Sequence, residues 1–251
     1  MGPVSRVTEG EAWDAVGHAF PDRPVAAMEP LVGGIVFSTY KVTFADGNVL
    51  VFRGQRDHRD FFVDYDFSTV LASEARFYDT LSDLPVPRVV AFHPLPNPVG
   101  FAFSLSTYLP GTPMEQQLPL ATAEQRRGVE GQMGELMARI HGTEAPWVGP
   151  LGENRGQEWG QYFSRRLESR LDPFRDEGLL SPPEVQAMVG LAARLELERP
   201  RLLHLDFRPA NLLAERRGKE LHITGLVDAA NSIGGDPAFD LARTEEGTRL
   251  T

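Results

Sequence analysis

Apolar and polar residues alternate along most of the first part of the chain, which is typical of β-strands with one buried face. Strands are predicted over residues 25–32, 35–44, 49–53, 88–92 and 100–108. Asp46-Gly47 separates the second strand from the third, and this dipeptide favours a tight hairpin turn. A helix predicted at residues 8–20 precedes the strands, and another at residues 66–81 separates the third strand from the fourth. The pattern therefore predicts an antiparallel sheet accompanied by two helices.

After a rigid, proline-rich turn at residues 109–113, apolar residues recur with the spacing of amphipathic helices. Helices are predicted over residues 122–141, 159–171 and 181–199. Helix starts at Thr8, Thr122 and Ser181 are each followed three residues later by Glu or Gln, which is the pattern of a capping box. We therefore predict an α+β fold of two lobes. A strand-rich N-terminal lobe spans residues 1–109 and includes the helix of Glu74, and a helix-rich C-terminal lobe spans residues 110–251.

The composition is that of an ordinary globular protein, with 41% hydrophobic and 24% charged residues. The chain has no cysteine, which excludes disulfides and thiolate metal sites. The sequence has no signal-peptide core and no apolar run of membrane-spanning length, so we expect no membrane association and a cytoplasmic location. A net charge of −10 argues against a nucleic-acid partner. It is compatible with a cationic small-molecule substrate, although solubility alone also explains it.

The strongest indication of chemistry is the string HLDFRPAN, from His204 to Asn211, together with Asp228. Asp206 can accept a proton from an attacking hydroxyl. The amide oxygen of Asn211 and the carboxylate of Asp228 can hold Mg²⁺ against the phosphates of ATP. Kinases have a catalytic loop of this H-x-D-x-x-x-x-N form, followed by a metal-binding aspartate. The alternative interpretation is an ordinary loop with capping side chains, because motifs of this length also occur by chance.

The segments around the string favour the catalytic interpretation. Residues 212–214 and 222–227 have the pattern of two strands joined by a polar turn that contains Gly218. Such a hairpin brings Asn211 and Asp228 to the same end, where one cation could bridge them. The two residues are therefore candidate metal ligands.

The N-terminal lobe contains candidate phosphate-binding residues. Gly33-Gly34 lies between two predicted strands, where glycines let backbone N–H groups approach phosphate oxygens, although such a pair is more often only a turn. Strand alternation places Arg53 on the face of Val51, where a cation could reach the α- and β-phosphates. On its own, Arg53 would be an exposed arginine at a strand end. Glu74, in the next helix, is its natural partner. No Walker-type P-loop is present in the sequence.

In combination these motifs resemble the aminoglycoside phosphotransferase family of kinase-like enzymes. The most specific matches are the catalytic string, residues 225–228 and the segment GDPAFDLA at residues 235–242. Weaker matches follow the family's order along nearly the whole chain, at residues 31–34, 49–53, 73–77, 84–89, 108–111 and 137–141.

The resemblance implies a protein-kinase-like fold, ATP and Mg²⁺ as cofactors, and transfer of the γ-phosphoryl group to a hydroxyl of a small molecule. An aminoglycoside-like antibiotic is one candidate acceptor. By motif position, Asp206 is implied to be the catalytic base, Asn211 and Asp228 the metal ligands, and Arg53 the phosphate-binding cation. Arg208 falls where related kinases place a cation near the γ-phosphate, although a surface arginine is an equal alternative.

Further residues take their implied roles from the same resemblance. Tyr108 and Leu109 belong to the hinge that recognises the adenine edge. His141, Asp236 and Asp240 are interpreted as structural residues, a helix-end hydrogen bond and caps that brace the catalytic loop. His204 is interpreted as a further brace of the same loop rather than as a proton-transfer group.

Three departures from the family pattern raise alternatives. Leu205 stands where the family commonly has glycine, and Arg53 where it usually has lysine. The sequence ends soon after the GDPAFDLA segment, whereas family members usually continue with further helices, so we expect an incomplete or unusually short C-terminal lobe. One alternative function is a metabolic kinase of choline, homoserine or sugar type. Another is a nucleotide-binding module without catalysis. The oligomeric state is not indicated by the sequence.

Overall fold

The N-terminal half of the molecule is built around one antiparallel sheet. A computed structural model describes residues 6–31, 36–56 and 67–249. The elements of this half are α1 (Glu9–Ala19), β1 (Val25–Pro30), β2 (Ser38–Phe44), β3 (Val49–Gln55), α2 (Phe67–Thr80), β4 (Val89–His93) and β5 (Ala102–Thr107). The strands are ordered β1-β2-β3-β5-β4, and every neighbouring pair is antiparallel.

Strand alternation divides the residues of β3 between the two faces of this sheet. Leu50 and Phe52 are buried in the core beneath α1. Val51 and Arg53 face the opposite side and line a cavity. Arg53 is paired in register with Ser104 of β5, so the arginine stands in the middle of the sheet with a small neighbour beside it.

The C-terminal half contains most of the helices and two small sheets. Its elements are β6 (Thr112–Pro113), α3 (Met114–Gln117), α4 (Ala123–Gly142), β7 (Gly149–Pro150), α5 (Trp159–Asp176), α6 (Pro182–Ala192), β8 (Arg201–Leu203), β9 (Leu212–Arg217), β10 (Glu220–Leu226), β11 (Ile233–Gly235) and α7 (Pro237–Arg249). The sheets are ordered β10-β9-β6 and β7-β11-β8. Together they hold the candidate catalytic loop, because the loop leaves β8 and enters β9.

The helix α2 packs on both halves of the molecule. Val70 and Leu71 of its first turns contact a cluster that includes Ala102 of the sheet. Phe77 and Tyr78, further along, belong to the main C-terminal core with residues such as Leu202. Glu74 lies between these two contacts, so its position depends on both lobes.

The predicted α+β class is confirmed, with a strand-rich N-terminal sheet and a helical C-terminal part. The predicted helix at residues 181–199 is too long, because α6 ends at Ala192. There the chain turns so that the carbonyl groups of Ala193 and Leu195 lie against Gly160, where an added Cβ would meet them at 2.6 and 2.8 Å. The helix at residue 159 is longer than predicted and continues past Pro173 to Asp176. In the part of the chain that the structure describes, no helix is both long and apolar enough to cross a membrane.

Candidate active site

A cavity of about 450 Å³ lies between the N-terminal sheet and the C-terminal elements. Eight of the ten sequence-predicted site residues line it: Arg53, Glu74, Tyr108, Leu109, Asp206, Arg208, Asn211 and Asp228. The other two, Gly33 and Gly34, lie outside the described residues. Residues more than 170 positions apart in the sequence, such as Arg53 and Asp228, are in direct contact here.

Arg53 joins the two halves of the cavity. Its Nη1 atom donates to Oε1 of Glu74 at 2.7 Å, and its Nη2 atom donates to Oδ1 of Asp228, also at 2.7 Å. The guanidinium group also lies over the ring of Phe37, 4.6 Å from the ring centroid. A planar guanidinium can serve two carboxylates in different directions at once, which a lysine ammonium does less well. The arginine found in place of lysine therefore orders both Glu74 and Asp228.

Tyr78 completes this network and was not predicted from the sequence. Its hydroxyl donates to Oε1 of Glu74 at 2.8 Å and accepts the backbone N–H of Ala229 at 3.4 Å. Tyr78 lies four residues after Glu74, on the same face of α2, and this spacing was the signal that could have identified it. The tyrosine ties the helix of Glu74 to the backbone immediately after Asp228.

The electrostatics of the network depend on burial as well as on charge. Burial raises the pKa of Glu74, in opposition to Arg53, and also raises the pKa of Tyr78, so the tyrosine keeps its proton at neutral pH. Burial alone would raise the pKa of Asp228 too. There the Arg53 guanidinium outweighs burial and holds the pKa of Asp228 below its usual range. Asp228 is therefore a carboxylate at neutral pH and can bind a cation.

Asp206 lies at the floor of the cavity, between an arginine and an asparagine. Its Oδ1 atom pairs with Nε of Arg208 at 3.1 Å. Its Oδ2 atom accepts Nδ2 of Asn211 at 2.7 Å, and the same Nδ2 donates to the Asp206 carbonyl at 2.8 Å. The Asp206 side chain is 22% exposed, so a hydroxyl group in the cavity can reach it. Arg208 is 47% exposed, and a short movement would bring its charge to a ligand.

The predicted metal ligands face a common space. Because Nδ2 of Asn211 faces two acceptors, its Oδ1 must point away from Asp206 and is available as a ligand. The N–H of Val227 donates to the Asn211 carbonyl at 2.9 Å, which brings Asp228 to the same end of the β9–β10 hairpin. Asp228 has φ +62°, a left-handed conformation that aspartate and asparagine tolerate better than most residues.

This donor set fits Mg²⁺. One carboxylate and one amide oxygen are hard ligands, and Mg²⁺ in nucleotide sites usually has few protein ligands and takes the rest from phosphates and water. Among the described residues, no group of three or more His, Cys, Asp or Glu converges to hold a metal by itself. The site therefore suits a metal ion that arrives with a nucleotide.

The candidate catalytic loop is held in place by Asp240 of α7. Its two carboxylate oxygens accept the backbone N–H groups of His204 and Leu205 at 2.9 and 2.8 Å, and Nε2 of His141 lies 3.0 Å from the same carboxylate. The bracing contacts predicted for Asp240 and His141 are present, whereas the Asp236 side chain accepts the N–H of Ala238 at the start of α7 and, among the described residues, is not seen to contact the loop. His204 is fully buried, and burial lowers its pKa, so its imidazole is neutral. Its Nδ1 atom accepts the N–H of Asp206 at 3.3 Å.

The backbone conformation of Leu205 explains why the family commonly has glycine at this position. Its φ is +58°, in the left-handed region that costs a residue with a Cβ about 1–2 kcal/mol. Its side chain is only 2% exposed and packs against Trp159, Tyr162 and Ile233. Burial of a leucine contributes about 2–3 kcal/mol, which outweighs the strain. Leu205 is therefore compatible with the same loop conformation.

Two substitutions at this position separate the strain from the burial. Leu205→Ala keeps the strain and loses the packing, whereas Leu205→Gly loses both. We expect Leu205→Gly to be more stable than Leu205→Ala by about 1 kcal/mol, although both are less stable than the wild type. Urea unfolding of the three proteins measures this order. An alanine variant more stable than the glycine variant, as at ordinary positions, would show that Leu205 is not strained.

The brace at Asp240 predicts a pH-dependent contribution to stability. Burial acts to raise the pKa of Asp240, but the hydrogen bonds from His141 and the loop N–H groups lower it overall. Asp240→Asn should lower the free energy of unfolding by about 3 kcal/mol at pH 7. Since the folded-state pKa of Asp240 lies below the unfolded value of about 3.9, the contribution is complete above the unfolded value. It is lost progressively as the pH falls from there through the folded-state pKa.

Urea unfolding at pH 7 and pH 3.5 tests this prediction, and the difference between wild type and Asp240→Asn should shrink at the lower pH. Asp236→Asn is the matched control. Its side chain only accepts the N–H of Ala238, which asparagine can also do, and a change of less than about 1 kcal/mol is expected. An equal difference at both pH values would contradict the ionised brace.

The cavity thus combines a largely buried Arg–Glu pair, a loop with paired Asp and Asn side chains, and an Asp at the end of a hairpin. The model of the phosphotransferase enzyme family (APH) matches residues 27–245, which is most of the chain. The chain belongs to this family and is a phosphotransferase. No curated protein matches it in sequence.

Solved structures of aminoglycoside phosphotransferases have the same fold. The GDP complex of aminoglycoside 2′-phosphotransferase-IIIa has a TM-score of 0.64 and 16% identity, with coverage of 96% of this chain and 79% of that one. A thermostable mutant of APH(4)-Ia, in complex with ADP and hygromycin B, has a TM-score of 0.61 and 16% identity, covering 92% and 74%. The GDP and kanamycin complex of APH(2″)-IIIa has the same TM-score and identity, covering 92% and 76%.

Proposed function

We propose that this protein transfers the γ-phosphoryl group of ATP, in the presence of Mg²⁺, to a hydroxyl group of a small molecule. The observation that carries the proposal is the convergence of Arg53, Asp206, Asn211 and Asp228 on one cavity. Phosphoryl transfer needs little covalent chemistry from the protein, so positioned charges are sufficient to explain most of the catalysis.

Each residue supports one part of this reaction. Asp206, reachable from the cavity and oriented by Asn211, would accept the proton of the attacking hydroxyl. Arg53 would bind phosphate oxygens, held in place by Glu74. Arg208, which is half exposed, would turn from Asp206 to the transferred phosphoryl group and balance the negative charge of the phosphoryl oxygens. Mg²⁺, held by Asn211 and Asp228, would neutralise the phosphate oxygens.

The nucleotide base would lie at the other end of the cavity. Tyr108 and Leu109 follow β5 and line the cavity, so their backbone groups can meet the edge of a purine. Gly33 and Gly34 would cover the phosphates. The boundary between the lobes would then fall at residues 109 and 110, between the end of β5 and the start of β6.

The acceptor would enter beside Asp206. Solved proteins of the same fold bind hygromycin B and kanamycin, and an aminoglycoside-like antibiotic is therefore the first acceptor to test. The negative net charge of this chain, −10, favours the approach of a cationic acceptor. Neither Leu205 nor Arg53 favours the alternative of a nucleotide-binding module without catalysis. Leu205 packs in a buried cluster, and Arg53 pairs with Glu74, so both residues are compatible with an assembled site.

The proposal is tested by incubating the protein with ATP labelled in the γ-position and a panel of acceptors, with and without Mg²⁺. Aminoglycosides, choline, homoserine and sugars cover the candidate classes. The label is expected in one acceptor class and only when Mg²⁺ is present. Nucleotide binding without transfer to any acceptor or to water would favour the module without catalysis.

A further inference from the structure

A contact with the C-terminal half, made by residues that do not line the cavity, holds the helix of Glu74. Gly152, two residues after the end of β7 in the C-terminal half, lies against the first turns of α2. A Cβ at Gly152 would be 2.3 Å from the Thr69 carbonyl oxygen, 2.9 Å from Cβ of Ala72 and 3.0 Å from the backbone nitrogen of Ser73. Real Cβ atoms do not approach other atoms this closely. The φ of Gly152 is not in the positive range, so the glycine is needed for space and not for conformation.

Hydrogen bonds fix the same contact. The N–H of Gly152 donates to Oγ of Ser73 at 2.8 Å, and Oγ of Ser73 donates in turn to the Thr69 carbonyl at 2.9 Å. From the other side, Oγ of Ser232 donates to the Ser73 carbonyl at 3.3 Å. Ser73 is 2% exposed and Ser232 is 1% exposed. Serine and glycine thus hold α2 against the C-terminal half one residue before Glu74.

The segment of Gly152 is also connected to the candidate catalytic loop through one small sheet. Gly152 follows β7, which pairs with β11, and β11 pairs with β8. The strand β8 ends at Leu203, immediately before the loop of Asp206. One small sheet therefore carries both the loop and the surface on which α2 rests. A change in the spacing at Gly152 would move Glu74, and with it Arg53, relative to Asp206 and Asp228.

We propose that Gly152 and Ser73 are positioning residues that set the distance between the Arg53–Glu74 pair and the catalytic loop. This proposal rests on the proposed phosphotransfer function. It assigns the two residues a role that does not require contact with nucleotide or acceptor. The close approach allowed by glycine, together with the buried Ser73 hydroxyl, keeps α2 in the position in which Glu74 reaches Arg53.

Gly152→Ala is the first test, with Gly131→Ala as the matched control. Gly131 is an exposed glycine within α4, and an added Cβ there meets no atom within 4 Å, so the same substitution adds a methyl group without a clash. We expect Gly152→Ala to lower kcat/KM for MgATP by about 10²-fold, because small displacements of catalytic groups have effects of this size. KM for the acceptor should change little, and Gly131→Ala should behave as the wild type.

Ser73→Ala is the second variant and covers the case in which Gly152→Ala fails to fold. It adds no volume and removes only the hydroxyl, and a loss in kcat/KM of about tenfold is expected. Ser169→Ala is its control, since Oγ of Ser169 only donates to the carbonyl of Arg166 within its own helix. A folded Gly152→Ala and a folded Ser73→Ala with wild-type kcat/KM would overturn the proposal.

Repeating the two substitutions in a Glu74→Gln protein distinguishes a positioning role from general destabilisation of the fold. If Gly152 and Ser73 act through Glu74, their effects should nearly vanish when Glu74→Gln is already present. Equal fold-losses in both backgrounds would overturn the proposal.

If the wild type transfers no phosphate at all, the proposed function fails, and the positioning role is tested separately by amide hydrogen exchange of α2. Faster exchange of α2 amides in Ser73→Ala, with α4 unchanged, would support it, and unchanged exchange in α2 would overturn it.

Discussion

Replacing Asp206 by asparagine is expected to lower kcat by about 10²–10⁴-fold. The carboxylate of Asp206 can take the proton of the attacking hydroxyl and the amide of asparagine cannot, and among the described residues no other carboxylate pairs with both Asn211 and Arg208. The protein should remain folded. An asparagine carbonyl can still accept the N–H of Asn211, and the lost pair with the half-exposed Arg208 contributes only about 1 kcal/mol or less.

The measurement is single-turnover transfer, with the free energy of unfolding determined in parallel. Asp83→Asn provides the control, because Asp83 also pairs with an arginine, Arg139, but both side chains are exposed on the outside of the protein. Wild-type kcat is expected for it. An Asp206→Asn variant that retained wild-type kcat would exclude Asp206 as the base.

Replacing Asp228 by asparagine is expected to lower kcat/KM by about 10²-fold or more, since a metal ion at transferring phosphate stabilises the transition state by several kcal/mol. Asparagine tolerates the left-handed backbone at φ +62° and has nearly the same shape. It lacks the negative charge that Arg53 holds in place and that a cation needs. The Mg²⁺ concentration required for half-maximal activity should therefore rise.

A titration of activity with Mg²⁺ checks this expectation. Glu215→Gln is the control, a carboxylate-to-amide change on the same hairpin that leaves the cavity intact. Its Mg²⁺ dependence should match the wild type. The same Mg²⁺ dependence in Asp228→Asn and wild type would contradict the assignment of Asp228 as a metal ligand.

The parts of the fold that depend on neighbouring residues could be predicted from the sequence. The capping boxes at Thr8 and Thr122 form as expected, with side chain and backbone bonded in both directions. Alternation along β3 placed Arg53 on the cavity face, and the turn at Gly218 placed Asn211 and Asp228 together. In each case the pattern and its consequence lie within one element or one hairpin.

Features that depend on distant residues could not be predicted. After the end of α6 at Ala192 the chain passes against Gly160 on another helix, a contact that no local pattern indicates. The need for glycine at position 152 comes from the Thr69 carbonyl, more than eighty positions earlier. The positive φ of Leu205 is also invisible in a single sequence, because leucine is an unfavourable residue for that conformation and is kept there by buried contacts.

The central claim is that the cavity transfers phosphate from ATP with Asp206 as the base. It is tested most directly by following the γ-phosphate of labelled ATP in the presence of Mg²⁺ and the acceptor panel, for wild type and Asp206→Asn side by side. The account predicts a phosphorylated acceptor with the wild type and a rate lower by at least about 10²-fold with the variant. Equal rates of product formation in the two proteins, or a wild type that neither binds nor consumes ATP, would contradict it.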